Sequence, residues 1–492
     1  MTMSQDEILT TGATGLAQAI REGRISSREA LDFHLDRVER LNPKINAVIA
    51  IDADAARKRA QEADAARAGG ESWGPLHGLP MTVKDAYEVT GMATVCGAPA
   101  LENHRPKTNA LAVQRLMEAG AIVFGKTNTP LFAGDIQTYN AVFGTTHNPW
   151  NLERTCGGSS GGSAAALAAG LTPLELGSDL AGSIRTPAHW CGVFGHKPSH
   201  GLIPLRGHIP GPPGTLSEPD LAVGGPLARS AEDLQLALDI LAGPDPRSAK
   251  AWSLELPPPR SSRLSDLRVA CHFDDPFCPV DGATRSVLDQ TAKAWRQAGA
   301  MLSDTPPPVP LPEAFESYER LLDAVIGAGL PPKVYARLTR GAPFMRWLGR
   351  DECGRLGRFM NASTQRFRDW ARFDEARQHQ RARWDEYFTH FDVLLMPVTP
   401  TAAIRHDPSR NLFSRRIDVD GLARPYTDQF VWIGPASSAL LPVTVMPAGQ
   451  SPDGLPIGVQ IVGPYLEDRT TIEVARLLSR ASGGFTPPPG FD

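Results

Sequence analysis

Three stretches of the chain carry residue types that together could do acyl-transfer chemistry. The densest is Cys156-Gly157-Gly158-Ser159-Ser160-Gly161-Gly162-Ser163-Ala164-Ala165-Ala166. Glycines let backbone approach backbone, and a run that leads straight into alanines presents hydroxyls and N–H groups at a helix N-terminus. A flexible Gly/Ser linker would not run into a strong helix former inside an α/β block. The second stretch is Gly177-Ser178-Asp179-Leu180-Ala181-Gly182-Ser183-Ile184-Arg185-Thr186-Pro187. Here a short apolar strand (174–176) runs into small residues, with a serine in a tight turn between Asp179 and Arg185. Successive N–H groups in such a turn can converge on an oxyanion. The third is Gly78-Leu79-Pro80-Met81-Thr82-Val83-Lys84-Asp85, which puts Lys84 at the end of an apolar strand. Taken alone, a lysine there is a surface charge.

Other chemistries find less support. Gly157 to Gly161 fits the G-x-S-x-G nucleophile elbow, but that elbow needs a strand directly before it, and residues 148–154 read as loop. The phosphate loop G-x-x-x-x-G-K-[ST], H-E-x-x-H and paired C-x-x-C motifs are absent from the sequence, so neither a metal nor an organic cofactor is expected. Serine is a poor nucleophile without an adjacent base. Lysine can be that base only when neutral. From a reference pKa of ~10.4, deprotonation at pH 7 costs roughly 4–5 kcal/mol, much of which burial could supply.

The three stretches together resemble the amidase signature family, the Ser–cisSer–Lys amidohydrolases. Its Gly-Gly-Ser-Ser-Gly-Gly core stands unbroken at 157–162, and its Gly-Ser-Ile-Arg segment at 182–185. The likeness is strong over residues 70–235 and returns at 391–480, as in Gly454-Leu455-Pro456-Ile457-Gly458-Val459-Gln460. The resemblance implies roles. Ser183 would be the acyl-accepting nucleophile, Ser159 the bridging serine on a cis peptide bond, and Lys84 the base behind it. The N–H groups of Leu180, Ala181, Gly182 and Ser183 would form the oxyanion hole. Ser160, Asp179 and Arg185 would support the turn that bears Ser183. Two departures stand out. Ala181 occupies a position where many members have glycine, so alanine would be strained there if φ had to be positive. Cys156 replaces a common proline or alanine and reads as a small buried filler, not a second nucleophile.

Several elements must position these residues. Ser26-Ser27-Arg28-Glu29 is a capping box that opens a helix through Leu31, Leu35 and Val38. A strand at 46–51 and a helix at 52–66 follow. From residue 75 short apolar runs alternate with helical patterns, which is the α/β signature. The fold expected is α/β: one large domain over 1–492, with a central mixed sheet flanked by helices. A signature core spans 70–235, a helical insertion or substrate cap 245–390, and the chain returns to the core sheet at 391–480. Aromatic residues of the helical stretch, Trp347, Trp370 and Trp384 among them, read as helix core with arginine stems laid over it.

The composition fits this picture. Of the 492 residues, 41% are hydrophobic and 21% charged, which is globular rather than disordered. The net charge of −4 argues against a nucleic-acid binder. No apolar run is long enough for a membrane span, and the start lacks a charged-then-apolar leader. The cysteines make no disulfide framework, so a cytoplasmic setting is expected. The partners expected are a small amide or carbamate and, at most, a second copy of the chain: monomer or homodimer, with no nucleic acid and no membrane.

The family contains tRNA amidotransferase subunits, fatty-acid amide hydrolases, aryl acylamidases, lactam-oligomer hydrolases and urethanases. The aryl acylamidase and urethanase branch is favoured here. The Pro/Gly-rich segment 204–219 reads as a shaped, partly mobile loop near the active centre. Gln137, Tyr139, Trp432 and Ile433 are expected to bind an apolar or aromatic substrate. The alternative is an amidotransferase subunit that releases ammonia from glutamine for tRNA-linked transfer.

Overall fold

Ser26 and Glu29 cap their helix (Ser27–Ile45) reciprocally, each side chain accepting a hydrogen bond from the other's backbone N–H at 3.0 and 2.8 Å. Asp52 caps the next helix, Ala53–Ala68. The computed structural model describes residues 3–209, 212–349, 354–409 and 411–491.

The helices lie on an eleven-stranded sheet. In chain order its strands are β1 (Val48–Ile51), β2 (Pro80–Lys84), β3 (Ile122–Thr127), β4 (Leu174–Asp179), β5 (Phe194–Lys197), β6 (Val223–Ala228), β7 (Arg268–Cys271), β8 (Met301–Asp304), β9 (Val393–Pro397), β10 (Val443–Gln450) and β11 (Pro456–Val462). Their spatial order is β1-β3-β2-β4-β6-β5-β10-β11-β9-β7-β8. The sheet is mixed: β2 runs parallel to β3 and β4, whereas β4–β6 and β9–β11 are antiparallel.

The inner strands β2, β4, β5, β6, β9 and β11 are buried at every position because both faces of the sheet are covered there. In β9, Val393 and Leu395 join one apolar cluster while Leu394 and Met396 join another, as the two-residue period of a strand requires. The first cluster also holds the helices Ala231–Leu241 and Asp468–Ser482. The second holds the helix Leu311–Ala328.

Two sequence readings need correction. Residues 148–154 are not simply loop: a two-stranded hairpin pairs His147–Asn148 with Asn151–Thr155. The Asn148 side chain holds its turn by accepting from Trp150 N–H at 3.0 Å. Most of the second strand is polar and exposed, so it lacks the apolar alternation by which a strand is read. It pairs with its hairpin partner and, through a bridge from Arg154 to Arg405, with a later loop, but not with the main sheet. The helical insertion at 245–390 also carries two strands that close one edge of the sheet, β7 where the apolar run 267–270 reads as a strand and β8, which is not expected from the sequence. Its helices occupy Leu311–Ala328, Pro332–Leu348, Gly354–Ser363 and Phe367–His390 beyond them. The aromatic residues there divide. Trp384 and Tyr387 are buried, whereas Phe344, Trp347 and Phe367 are exposed.

The short helix Gly161–Ala168 is buried along its whole length, and it seats on the sheet because its side chains are small. A Cβ on Gly162 would lie 2.4 Å from the backbone nitrogen of Asn128, the residue that follows β3. Backbone cannot swing aside as a side-chain tip can. Gly162→Ala is therefore expected to destabilise the fold by about 1–3 kcal/mol, the usual cost of overpacking. Urea unfolding measures this, and an unchanged midpoint would contradict the packing described.

Candidate active site

β2 and β4 are parallel neighbours, so their C-terminal ends lie at the same edge of the sheet. That edge is where open α/β sheets place ligands. Lys84 ends β2, and Ser178 and Asp179 end β4. The Gly/Ser loop comes to the same edge through Ser160. Its hydroxyl donates to Ser178 C=O at 3.2 Å and accepts from Ser178 N–H at 3.3 Å. Its N–H donates to Ser183 C=O at 3.1 Å. The two serine clusters, distant on paper, are thus joined backbone to backbone. The Gly158–Ser159 peptide bond is cis.

Lys84 is fully buried. Its Nζ lies 2.6 Å from Ser159 Oγ and 3.0 Å from Ser178 Oγ. Burial drives its pKa down from the ordinary value of 10.5 to about 7, with Cys96 and Asp179 opposing the shift. A large fraction of Lys84 is then neutral near pH 7 and able to take a proton from a hydroxyl. Ser183 is 8% exposed and Ser159 1%. Among the described residues the Ser183 hydroxyl has no hydrogen-bond partner, so it is left for whatever occupies the site.

The turn 179–185 is held by one buried ion pair. Arg185 Nε and Nη2 meet Asp179 at 3.1 and 3.0 Å. Arg185 also donates to Ile433 C=O and to Ser437 Oγ. Burial alone would raise the Asp179 pKa, but Arg185, Lys197 and the Gly182 N–H bring it down to about 2. The same carboxylate accepts N–H bonds from Gly182, Ile184 and Arg185.

This changes the expected oxyanion hole. The Gly182 N–H is committed to Asp179 at 2.9 Å. Among the described residues, the N–H groups of Leu180, Ala181 and Ser183 have no acceptor, which leaves three donors. The alanine at 181 is unstrained. The positive φ of the turn falls on Gly182, at 90°, and Ala181 is not among the residues with positive φ.

The model of the Amidase family matches residues 29–472. The chain belongs to the amidase family. A glutamyl-tRNA(Gln) amidotransferase subunit of Roseiflexus castenholzii is 34% identical to this amidase over 96% of either chain. A solved chain from a vestigial protein complex, described as revealing the evolutionary origins of an s-triazine catabolic enzyme, superposes with a TM-score of 0.79 at 29% identity, over 97% of this chain and 99% of that one. A bacterial aryl acylamidase of the amidase signature family also gives a TM-score of 0.79, over 96% of each chain; at 24% identity its likeness speaks for the fold alone.

In this amidase the residues expected to touch substrate are brought together only in part. Ile433 does approach the turn, its Cδ1 lying 3.1 Å from where a Cβ on Gly182 would stand. Trp432 does not open onto the site: it is fully buried, and its Nε1 donates to Cys278 C=O at 3.0 Å. Gln137 is buried as well, with its amide committed to Tyr426 and to the Asp407 backbone. The Tyr139 hydroxyl is held by Asp135 and Arg415. The apolar and aromatic character that suggests a binding role is satisfied equally well by a core position. Cys156 is the buried filler expected, its thiol pushed up to about 12 by burial.

Two residues escape a reading of the sequence. Ser178 contacts Lys84, and His208 Nε2 lies 2.9 Å from Ser178 Oγ. The place of Ser178 one residue before Asp179 is the available signal. His208 lies far away in sequence, in the 204–219 loop, whose Pro210 and Gly211 fall outside the described residues. Among the described residues no cluster of three or more His, Cys, Asp or Glu could hold a metal, and no helix is long and apolar enough to cross a membrane.

The burial of Lys84 has a stability signature. In the unfolded chain the amine holds its proton up to pH 10.5, but in the native state only up to about 7. The native state therefore carries a penalty that is full at and below pH 7 and fades as pH rises towards 10.5. Lys84→Met should remove it. The variant is expected to melt higher than the wild type at pH 7, and the gap should narrow steadily as pH approaches 10. Melting curves across that range check this. A variant that melts lower throughout would contradict it.

Proposed function

We propose that this amidase cleaves amide-type C–N bonds through an acyl-enzyme on Ser183. The observation that supports this most is the 2.6 Å contact between Ser159 and a buried Lys84 that is in large part neutral near pH 7. Ser183 Oγ attacks the carbonyl carbon as its proton passes to Ser159 Oγ, and the Ser159 proton passes to Lys84 Nζ. Developing charge on the carbonyl oxygen meets the N–H groups of Leu180, Ala181 and Ser183. The proton returns through Ser159 to the departing nitrogen, the C–N bond breaks, and an ester on Ser183 remains. Water then attacks that ester, its proton following the same route, and the acid leaves.

Two substrate readings follow. The relative at 34% identity is an amidotransferase subunit, which favours a primary carboxamide such as that of glutamine, used to supply ammonia within a larger assembly. The walls of the site favour the aryl amides and carbamates expected from the sequence. Leu180 and Ala181 pack on an apolar cluster with Phe315 and Tyr318, and the Tyr318 hydroxyl donates to Leu180 C=O at 3.4 Å. Two arginines of the neighbouring helix Gly354–Ser363 are already paired, Arg358 with Glu319 and Arg355 with Asp323. An aromatic ring on such walls gains about 25 cal/mol per Å² buried, whereas an amino-acid zwitterion would need charges of its own to pair with. A carbamate would use the same nucleophile and donors, giving an alcohol, carbon dioxide and an amine.

A panel of 4-nitroacetanilide, an aryl carbamate, a simple primary amide and glutamine with an acceptor separates the readings. Ammonia from glutamine with no turnover of the aryl substrates supports the amidotransferase reading, and the reverse supports the aryl reading. In either case an activated phosphonate should label Ser183, and Ser183→Ala should abolish turnover. A label on Ser159 or Cys156 would overturn the acyl-enzyme assignment.

A further inference from the structure

Lys84 makes a second hydrogen bond that the proton route above does not use. Its Nζ meets Ser178 Oγ at 3.0 Å, and Ser178 Oγ meets His208 Nε2 at 2.9 Å. His208 is held in this place by backbone on both sides. Ile209 N–H donates to Ala86 C=O at 2.7 Å, and Glu88 N–H donates to Gly207 C=O at 2.9 Å, which ties 207–209 to the chain just beyond β2. The His208 ring stands edge-on to Tyr87, with centroids 4.7 Å apart. Tyr87 is anchored in turn through its hydroxyl to Gly177 C=O at 2.7 Å. On its other side His208, which is partly exposed, lines a cleft of about 310 Å³ shared with Glu88, Asn109 and Arg206.

The hydrogen-bond directions admit one continuous order. For Lys84 to receive the Ser159 proton, its lone pair must face Ser159. Its N–H groups then point elsewhere, and one meets Ser178 Oγ. Ser178, accepting from Lys84, donates its own proton to an unprotonated His208 Nε2. We propose that His208, acting through Ser178, is a positioning residue that turns the Lys84 lone pair towards Ser159 and supports the ammonium once it forms. The inference rests on Lys84 being the base of the proposed reaction. The titratable and charged groups facing this chain of contacts are Cys96 and Asp179 beside Lys84, and Lys84, Tyr87, Glu88 and Arg206 beside His208. Cover of the ring by its neighbours, and then Lys84, lower the His208 pKa, which favours a neutral ring whose Nε2 is able to accept.

The order predicts a graded result. His208→Leu removes the acceptor, while His208→Gln offers an amide oxygen in its place. Hydrogen-bonded partners that orient metal ligands contribute about 10–100-fold to activity, and a partner that orients a base is expected to act on a similar scale. In His208→Leu, kcat is expected to fall by about that factor with KM little changed. The acidic limb of kcat/KM is expected to move to lower pH, because the Lys84 ammonium loses support. In His208→Gln most of the activity should remain, with the limb near its wild-type position. Phosphonate labelling of the same samples separates two kinds of failure. Wild-type protein that is not labelled on Ser183 overturns the acyl-enzyme reading and this inference with it. If Ser183 is labelled, two results overturn this inference alone: a His208→Leu enzyme with wild-type kcat, or equal losses in both variants with no movement of the limb.

Discussion

An amine held away from water, with two hydroxyls as its hydrogen-bond partners among the described residues, sets the terms for the rest of this protein. Lys84 ends a strand buried at every position, and both of its hydrogen bonds go to serines. A carboxylate in contact would have kept it charged. The nearest acid of the turn, Asp179, is instead bound by Arg185 and by backbone N–H groups. Two opposite devices thus sit side by side. One ion pair is fully compensated and braces the turn that carries Ser183. One amine is left uncompensated and gives up its proton readily.

The sheet makes this arrangement possible. Parallel strands β2 and β4 bring Lys84 and Ser178 to one edge, and the buried helix Gly161–Ala168 delivers Ser159 and Ser160 to the same place. Polar side chains continue beneath it: Glu175 is bonded by the hydroxyls of Thr82 and Thr127, and burial raises its pKa to about 8. At neutral pH it adds little charge to the surroundings of Lys84. The glycines around the serines let the loop and helix come this close, as Gly162 does against Asn128.

Much of this is legible in the sequence, for identifiable reasons. The strands at Val48–Ile51, Pro80–Lys84 and Val393–Pro397 announce themselves as apolar runs, and Ser26 and Glu29 announce a helix start. Ser159 and Ser183 stand out through the glycines and serines around them, and Lys84 through its place at the end of an apolar strand together with likeness to a family. Other features are not legible. The polar hairpin at 147–155 has no apolar period. The contact of His208 with Ser178 depends on a loop folding back beside β2. Gln137 and Trp432 have the chemistry of a binding site but the burial of a core, and only packing distinguishes the two. The bond from the Gly182 N–H to the Asp179 carboxylate depends on a side-chain placement that no sequence pattern records.

The central claim is that Lys84 exchanges its proton near neutral pH. Direct titration tests it: NMR of the protein with lysine labelled at the ε-carbon, the Lys84 signal being assigned by its absence in Lys84→Met. The account predicts a midpoint near pH 7. A Lys84 signal that titrates near the ordinary lysine value of 10.5 would contradict it.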